Sequence, residues 1–252
     1  MSRSIPLSIS PSITLATTRR ILRQLRHDHR TIGLMVGVPT LLMILLRYVF
    51  DGPGAFDRIG PMLLGLFPFV IMFVVTSVGT LRERTSGTLE RLMTLPMGKL
   101  DLLLGYALAF GLLALVQVGV ALGVSLTWLD LDLTGSVWSL LLVALLNALL
   151  GVALGLLASA FARTEFQAVQ FMPAFVLPQL LLCGLLVPRE KMAGWLEAIS
   201  NVLPLSYAMD AMRRVTAEAE FGGALARDVA VIAGCVLLSL LLGAATLRRR
   251  TG

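Results

Sequence analysis

A strongly charged segment lies between two long apolar runs of the chain. Residues 81–97 read LRERTSGTLERLMTLPM, and they include Arg82, Glu83, Arg84, Glu90 and Arg91. A segment this polar cannot lie in hydrocarbon, where unpaired charges are costly. Acids interleaved with guanidinium groups can form salt bridges with a second protein or with lipid head groups. The chemistry expected of this segment is therefore recognition at a membrane face.

The other reactive side chains do not form a catalytic or metal site. Serines such as Ser125 lie in apolar runs, whereas His27 and His29 are both near the N-terminus, so an intramembrane Ser-His pair cannot form. The apolar runs hold no pair of acids, and the chain has no Gly-x-x-x-x-Gly-Lys-Ser/Thr phosphate loop. His27 and His29 point roughly 200° apart on a helix, so they cannot converge on one metal ion. We therefore expect neither an enzyme nor a metal protein.

The charged segment also has a helical pattern. Its apolar residues fall at i, i+3 and i+4, namely Leu89, Leu92 and Met93. Thr85 or Ser86 can cap the start of such a helix, and Pro96 can end it. The pattern predicts a short amphipathic helix lying across the membrane face.

The motif Glu83-Arg84-x-x-Gly87-Thr88-Leu89-Glu90-Arg91-Leu92, followed by Thr94-Leu95-Pro96, resembles the cytoplasmic loop of ABC-2 type permeases, the membrane subunits of ABC exporters. The resemblance implies a coupling helix between the second and third spans that docks on a separate cytosolic ABC ATPase subunit, which binds ATP and Mg²⁺. It also implies a second permease half, either a copy of this chain or a relative. The residues it assigns to ATPase coupling are Arg82, Glu83, Arg84, Gly87, Thr88, Leu89, Glu90 and Arg91.

The composition is that of a polytopic membrane protein. Hydrophobic residues make up 57% of the 252 residues and charged residues 14%, far from the soluble average of roughly a quarter charged. The net charge of +6 fits basic membrane loops better than a nucleic-acid partner. Cys183 and Cys235 lie in apolar runs and are interpreted as packing residues. No signal peptide is expected in the first thirty residues.

Six apolar runs approach or exceed the roughly 20 residues that a helix needs to cross a bilayer. They predict an all-α fold in one transmembrane domain, with spans at Ile32–Phe50, Ile59–Leu81, Leu102–Trp128, Val137–Phe161, Phe166–Val187 and Val229–Leu247. Lys and Arg are more numerous on the side of the termini and the charged segment, which predicts that both termini are cytoplasmic, in a multi-pass protein of the cytoplasmic membrane.

Two segments outside the spans are also expected to be helical. Over residues 11–30, four arginines recur in helical phase and predict an amphipathic interfacial helix that faces membrane lipids, namely Arg19, Arg23, Arg26 and Arg30. The alternative is a solvated basic tail. After the fifth span, residues 188–228 predict two short extracellular helices separated at Pro204, and Asn201-x-x-Pro204-Leu205-Ser206-Tyr207 ending in Arg213 resembles the C-terminal motif of ABC-2 permeases.

Within the spans, four amides are candidates for lining a pathway or for bonding helices together: Gln117, Asn147, Gln170 and Gln179. Gln170 and Gln179 lie on opposite faces of an ideal helix unless Pro173 and Pro178 bend or break it. The string Gly-Val-Ala-Leu-Gly occurs at residues 119–123 and 151–155, and each copy predicts a close helix contact.

The expected function is that of a permease subunit of an ATP-driven exporter for a hydrophobic or amphipathic drug, antibiotic or lipid. The alternatives are a permease for polysaccharide or glycolipid, a proton-driven carrier and a non-transporting membrane scaffold. A proton-driven carrier needs ionisable groups near the midplane, and the spans have none there. A scaffold leaves the charged motif unexplained.

Overall fold

The computed structural model describes residues 10–50, 55–88, 98–217 and 222–246. Within these ranges the regular structure is entirely helical. The α-helices are α1 (Pro11–Arg26), α2 (His29–Val49), α3 (Ala55–Thr85), α4 (Lys99–Thr127), α5 (Val137–Ser159), α6 (Glu165–Leu182), α7 (Gly194–Ser200), α8 (Pro204–Ala217) and α9 (Gly223–Thr246), with a 3-10 turn at Arg189–Lys191.

Five of the helices, α2, α3, α4, α5 and α9, are long and apolar enough to cross a membrane. They correspond to five of the six predicted spans. The fifth predicted span, Phe166–Val187, is occupied by α6, which is not among the five. Three glutamines and two prolines make α6 the least apolar of the candidate spans, and it ends at Leu182 because Gly184 adopts a φ of +86°.

The prolines of α6 do not break it. Pro173 and Pro178 both lie inside one continuous helix, so the alternative of a helix broken at these prolines does not occur. The ring of a proline removes one backbone hydrogen bond, and neighbouring helices in a membrane bundle tolerate this loss. Gln170 is accordingly exposed while Gln179 is buried, as expected for opposite faces of one helix.

The centre of the bundle is the contact between α3 and α5. A Cβ atom on Gly151 would lie 2.3 Å from the carbonyl oxygen of Phe69, and one on Gly155 would lie 2.5 Å from that of Phe73. Only glycine allows the two backbones to approach this closely. The second Gly-Val-Ala-Leu-Gly string is therefore a tight helix contact. By contrast, Cβ atoms on Gly119 and Gly123 would meet nothing within 4 Å among the described residues, so the first string makes no such contact there.

The two ends of the bundle differ in construction. One end, here called the motif end, carries α1 and the last turn of α3 (residues 81–85). The other, the loop end, carries the α4–α5 connection (residues 128–136), α7 and α8. One face of α8 is fully buried against α3, α5 and α9, where Met212 lies against Gly65 in α3. Three exposed tryptophans, Trp128, Trp138 and Trp195, lie at the loop end, as at a membrane–water interface.

Candidate functional site

At the motif end, α1 is docked on α4 through a face of small polar residues. Thr14, Thr17 and Thr18 are buried, and Thr17 packs so closely on Gly105 that a Cβ atom there would lie 2.6 Å from its methyl group. The Thr18 hydroxyl donates to the Gly105 carbonyl at 3.2 Å. Close packing and hydrogen bonds therefore hold α1 against the start of α4.

The N-terminal end of α1 is held by Asp101, which is 1% exposed. Its Oδ1 accepts from the Ser10 amide at 2.6 Å and from the Thr14 hydroxyl at 3.2 Å, while its Oδ2 accepts from the Gly98 amide at 3.0 Å. One buried carboxylate thus caps α4 and joins it to the start of α1.

The C-terminal half of α1 meets the charged motif through a buried cluster of Arg20, Glu83 and Tyr106. Arg20 donates from Nη2 to Glu83 Oε2 at 2.9 Å and from Nη1 to Glu83 Oε1 at 3.4 Å. The Tyr106 hydroxyl donates to Glu83 Oε2 and accepts from Arg20 Nη2 at 3.2 Å. The three side chains come from α1, α3 and α4, so one cluster joins three helices.

Burial makes this contact specific. Glu83 is only 7% exposed and Tyr106 1%, and the Arg20 guanidinium lies 6.0 Å from the centre of the Tyr106 ring. A buried carboxylate is tolerated when it is both charge-paired and hydrogen-bonded, and removing one partner leaves the other uncompensated. The cluster therefore favours one relative position of the three helices.

A second ion pair joins the end of α3 to the start of α6. Arg82 donates from Nε and Nη2 to the two carboxylate oxygens of Glu165, both at 3.0 Å. These hydrogen bonds hold the pKa of the Glu165 carboxyl below its usual value. Both side chains are at least half exposed, so this ion pair contributes little to stability, although it links the end of α3 to the start of α6.

The first charged residues of the motif belong to the preceding span helix. Arg82, Glu83 and Arg84 form the last turn of α3, which ends at Thr85, where the predicted amphipathic helix was expected to start. The residues that define that helix, Leu89, Leu92 and Met93, lie outside the described residues. The span helix continues because no residue breaks it before Gly87, which adopts a φ of +73° and ends the helical turn. Thr88 follows, and its hydroxyl lies 3.0 Å from that of Ser86. Leu89, Glu90 and Arg91 lie outside the described residues.

Arg84 is half-buried beside this turn. Its Nε is buried without a hydrogen-bond partner among the residues that the structure describes. An arginine presents five donors, so Arg84 has unused capacity for a carboxylate.

The amides inside the bundle are placed differently from one another. Asn147 is fully buried and donates to the Gly65 carbonyl at 2.8 Å, joining α5 to α3. Gln179 bonds within its own helix to the Phe175 carbonyl at 3.0 Å. Gln117 is fully buried, and neither of its amide atoms has a partner in the described parts of the chain. Gln170 faces outward from α6. The four do not converge on one path within a single chain.

Sequence comparison identifies the family. The profile of the ABC-2 type transporter family matches residues 11–216, a range that includes α1, the Arg20–Glu83–Tyr106 cluster and α8. The chain belongs to the ABC-2 type transporter family. It is a multi-pass membrane protein.

Individual ABC-2 relatives are similar at low identity. The probable multidrug ABC transporter permease YbhR of Escherichia coli is 26% identical over 62% of this chain and 42% of its own length. The linearmycin resistance permease protein LnrN of Bacillus subtilis is 28% identical over 67% of the chain and 43% of its own length. The chain therefore spans less than half of these relatives. It covers 75% of the probable doxorubicin resistance permease protein DrrC of Mycobacterium tuberculosis, at 27% identity over 79% of this chain.

In this ABC-2 chain the predicted basic stripe is only partly on one helix. Arg19, Arg23 and Arg26 are exposed on α1, but α1 ends at Arg26, and Arg30 belongs to the first turn of α2. The predicted single helix over residues 11–30 is therefore wrong at its end. Asp28 starts the new helix, because its carboxylate accepts from the Thr31 amide at 3.1 Å and the Thr31 hydroxyl at 2.6 Å, which also lowers its pKa.

Sequence reasoning missed Arg20, Tyr106 and Asp101 altogether. Arg20 was overlooked because the helical phase of its neighbours directed attention to the exposed stripe. A signal was present in the spacing of Thr14, Thr17 and Ile21, which marks a second face of α1 suited to packing. Arg20 borders that face, so an inward-pointing arginine could have been predicted, although its partner could not.

Proposed function

We propose that this chain is the permease subunit of an ATP-driven exporter of hydrophobic or amphipathic molecules, energised by a separate cytosolic ABC ATPase subunit that docks at the motif end. The observation that carries the proposal is the buried Arg20–Glu83–Tyr106 cluster. It lies at the first residues of the family motif and connects α1, α3 and α4. A partner that moves α1 or the segment after Gly87 therefore moves two membrane-spanning helices.

The motif end also offers contacts for such a partner. Arg19, Arg23 and Arg26 form an exposed basic face on α1, and Arg84 retains unused donors beside Gly87. Exposed arginines bind carboxylates of a protein surface or phosphates of anionic lipids. In the proposed orientation the protein lies in the cytoplasmic membrane, with the motif end and both termini on the cytoplasmic side. This orientation follows from the excess of Lys and Arg on that side of the chain.

A second permease half completes the proposed pathway. Helix α6 contacts α3 more than any other helix, and its outward face carries Gln170, Pro173 and exposed phenylalanines. An amide facing hydrocarbon is costly, so this face is better suited to a protein neighbour or a hydrated path than to lipid tails. The apolar character of the spans favours an apolar cargo, and relatives named for resistance to linearmycin and doxorubicin support a drug or antibiotic as cargo.

The test is Glu83→Gln in the permease purified with its ATPase subunit and reconstituted in vesicles. The substitution keeps the size of the side chain but removes its charge, so Arg20 loses its ion pair. Coupling free energies of about 1–3 kcal/mol correspond to a change of about five-fold or more. We therefore expect cargo-stimulated ATP hydrolysis and transport to fall at least about five-fold while the complex still assembles. Glu190→Gln, an exposed acid at the loop end, is the matched control.

Docking is tested separately by cross-linking. In a background of Cys183→Ala and Cys235→Ala, a cysteine at the exposed Thr85 is expected to cross-link to the ATPase subunit, and one at the exposed Thr134 at the loop end is not. Cross-linking from position 134 alone, or unchanged coupling in E83Q, would remove the basis for the proposal and favour a scaffold.

A further inference from the structure

A cavity of about 510 Å³ opens at the loop end, far from the coupling cluster. It lies between the first turns of α3, the α4–α5 connection and the last turns of α8. Its volume is within the usual range of roughly 300–1,000 Å³ for small-molecule sites. The residues that give it its character are Asp57, Arg58, Met62, Asp132, Arg213 and Thr216.

The cavity contains two acids and two arginines that do not neutralise one another. None of Asp57, Arg58, Asp132 and Arg213 forms an ion pair with another residue in the described ranges. Among the described residues, Asp57 accepts one hydrogen bond, from the backbone amide of Asp132 at 3.1 Å. A ligand with a single charge is repelled by the two side chains of the same sign. A zwitterionic ligand can place its negative group on the arginines and its positive group on the aspartates.

Arg213 provides the most constrained of these groups. One of its terminal nitrogens donates to the Gly184 carbonyl, and its Nε is buried with no acceptor in the part of the chain that the structure describes. Arg213 lines the cavity, and its guanidinium carries five donors, so its positive charge is available to a phosphate there. The guanidinium is also held in place, since Gly184 fixes its orientation.

The position of the cavity indicates the source of the ligand. The connection that lines it is flanked by Trp128 and Trp138, which are 65% and 78% exposed. Tryptophans of this kind lie at the level of lipid head groups. Met62, which is part of the buried core, supplies an apolar wall of the cavity. A phospholipid can therefore place its head group in the cavity with its chains remaining in the membrane.

From this juxtaposition we propose that the cavity binds a phospholipid with a phosphate–ammonium head group, its phosphate on Arg58 and Arg213 and its ammonium on Asp57 and Asp132. This site is independent of the proposed function, because binding requires neither ATP nor the ATPase subunit.

The test measures lipid binding to the delipidated full chain by native mass spectrometry. Phosphatidylethanolamine is compared with phosphatidylglycerol and with N-acetylated phosphatidylethanolamine, which both lack the ammonium. A charge-assisted hydrogen bond corresponds to about a ten-fold change in affinity. We therefore expect phosphatidylethanolamine to bind about ten-fold more tightly than either. Equal binding of the three lipids to the native chain overturns the proposal, and this comparison needs no variant.

Variants locate the site. R58Q/D132N removes one charge of each sign from exposed side chains of the cavity, and E190Q/K191Q removes the same charges from an exposed turn elsewhere at the loop end. The preference for phosphatidylethanolamine is expected to disappear in the first variant and to persist in the second. Any other pattern refutes the site. Glycerophosphoethanolamine binding as tightly as the lipid refutes a phospholipid source, and displacement by inorganic phosphate at equal concentration refutes recognition of the ammonium.

Discussion

The two Gly-Val-Ala-Leu-Gly strings allow the central helix contact to be measured with an internal control. Gly151→Ala adds a Cβ atom 2.3 Å from the carbonyl oxygen of Phe69 in α3. Gly119→Ala adds the same atom before the same four residues, but in the described parts of the chain it meets nothing within 4 Å. Because both glycines lie inside long helices and precede the same four residues, the change in helix propensity is about the same in both variants. The difference between them therefore isolates the packing of α3 on α5.

The magnitude follows from the distances. Ordinary contact begins at about 3.4 Å, so the helices must separate by about 1.1 Å at Gly151 to admit the new atom. A gap of ~0.5–1 Å already loses a quarter to a half of the dispersion energy between facing atoms. Overpacking of this kind costs about 1–3 kcal/mol. We therefore expect G151A to lower the free energy of unfolding by about 2 kcal/mol relative to G119A.

The assay is unfolding of each purified variant in one detergent, followed by helical circular dichroism during titration with sodium dodecyl sulfate. Gly155→Ala is expected to behave like G151A, since its Cβ atom would lie 2.5 Å from the Phe73 carbonyl oxygen. The double variant G151A/G155A should fall short of the sum of the two effects, because one separation accommodates both methyl groups. Equal stability of G151A and G119A would refute the close α3–α5 contact.

Three further outcomes are expected. Tyr106→Phe keeps the ring but removes the hydroxyl that donates to Glu83, so the unfolding free energy should fall by about 1–2 kcal/mol in the same titration, and an unchanged value would count against the buried cluster. Gly105→Leu has no room beneath α1, so limited proteolysis should cleave α1 faster than in the native chain, and equal rates would argue against its docking. In the cysteine-free background, Gln170→Cys should give a cross-linked permease dimer in vesicles and Leu237→Cys on exposed α9 should not, whereas dimers from position 237 alone would place the second half elsewhere.

Much of the fold was predictable because a membrane-spanning helix needs a long run of apolar residues, which is visible in the local sequence. Five of the apolar runs coincide with helices of sufficient length, and the helices around Pro204 were located from one proline and the spacing of apolar residues. Errors occurred where a helix ends. The run after Phe166 stays apolar to Val187, but Gly184 ends the helical path earlier, and apolar character alone does not report such a conformation.

The site was less predictable than the fold. The motif gave Glu83 directly, but its partner Arg20 is 63 residues away on a helix whose rotation is set by the packing of Thr17 on Gly105. The sequence does not distinguish the role of Asn147 from that of Gln170, yet Asn147 bonds α5 to α3 and Gln170 faces outward. Which face of a helix meets a neighbour depends on tertiary packing, and helical phase alone does not determine it.

Two buried carboxylates hold helix α1, one near each end of its packed face. Asp101 holds its first turn at Ser10, and Glu83 holds it ten residues later at Arg20, about 15 Å along the helix axis. A helix held at one point can rotate about it, whereas a helix held at two separated points moves together with the helices to which it is bound. A displacement of α1 therefore moves the adjoining ends of α3 and α4 with it, unless one of these buried contacts is first broken.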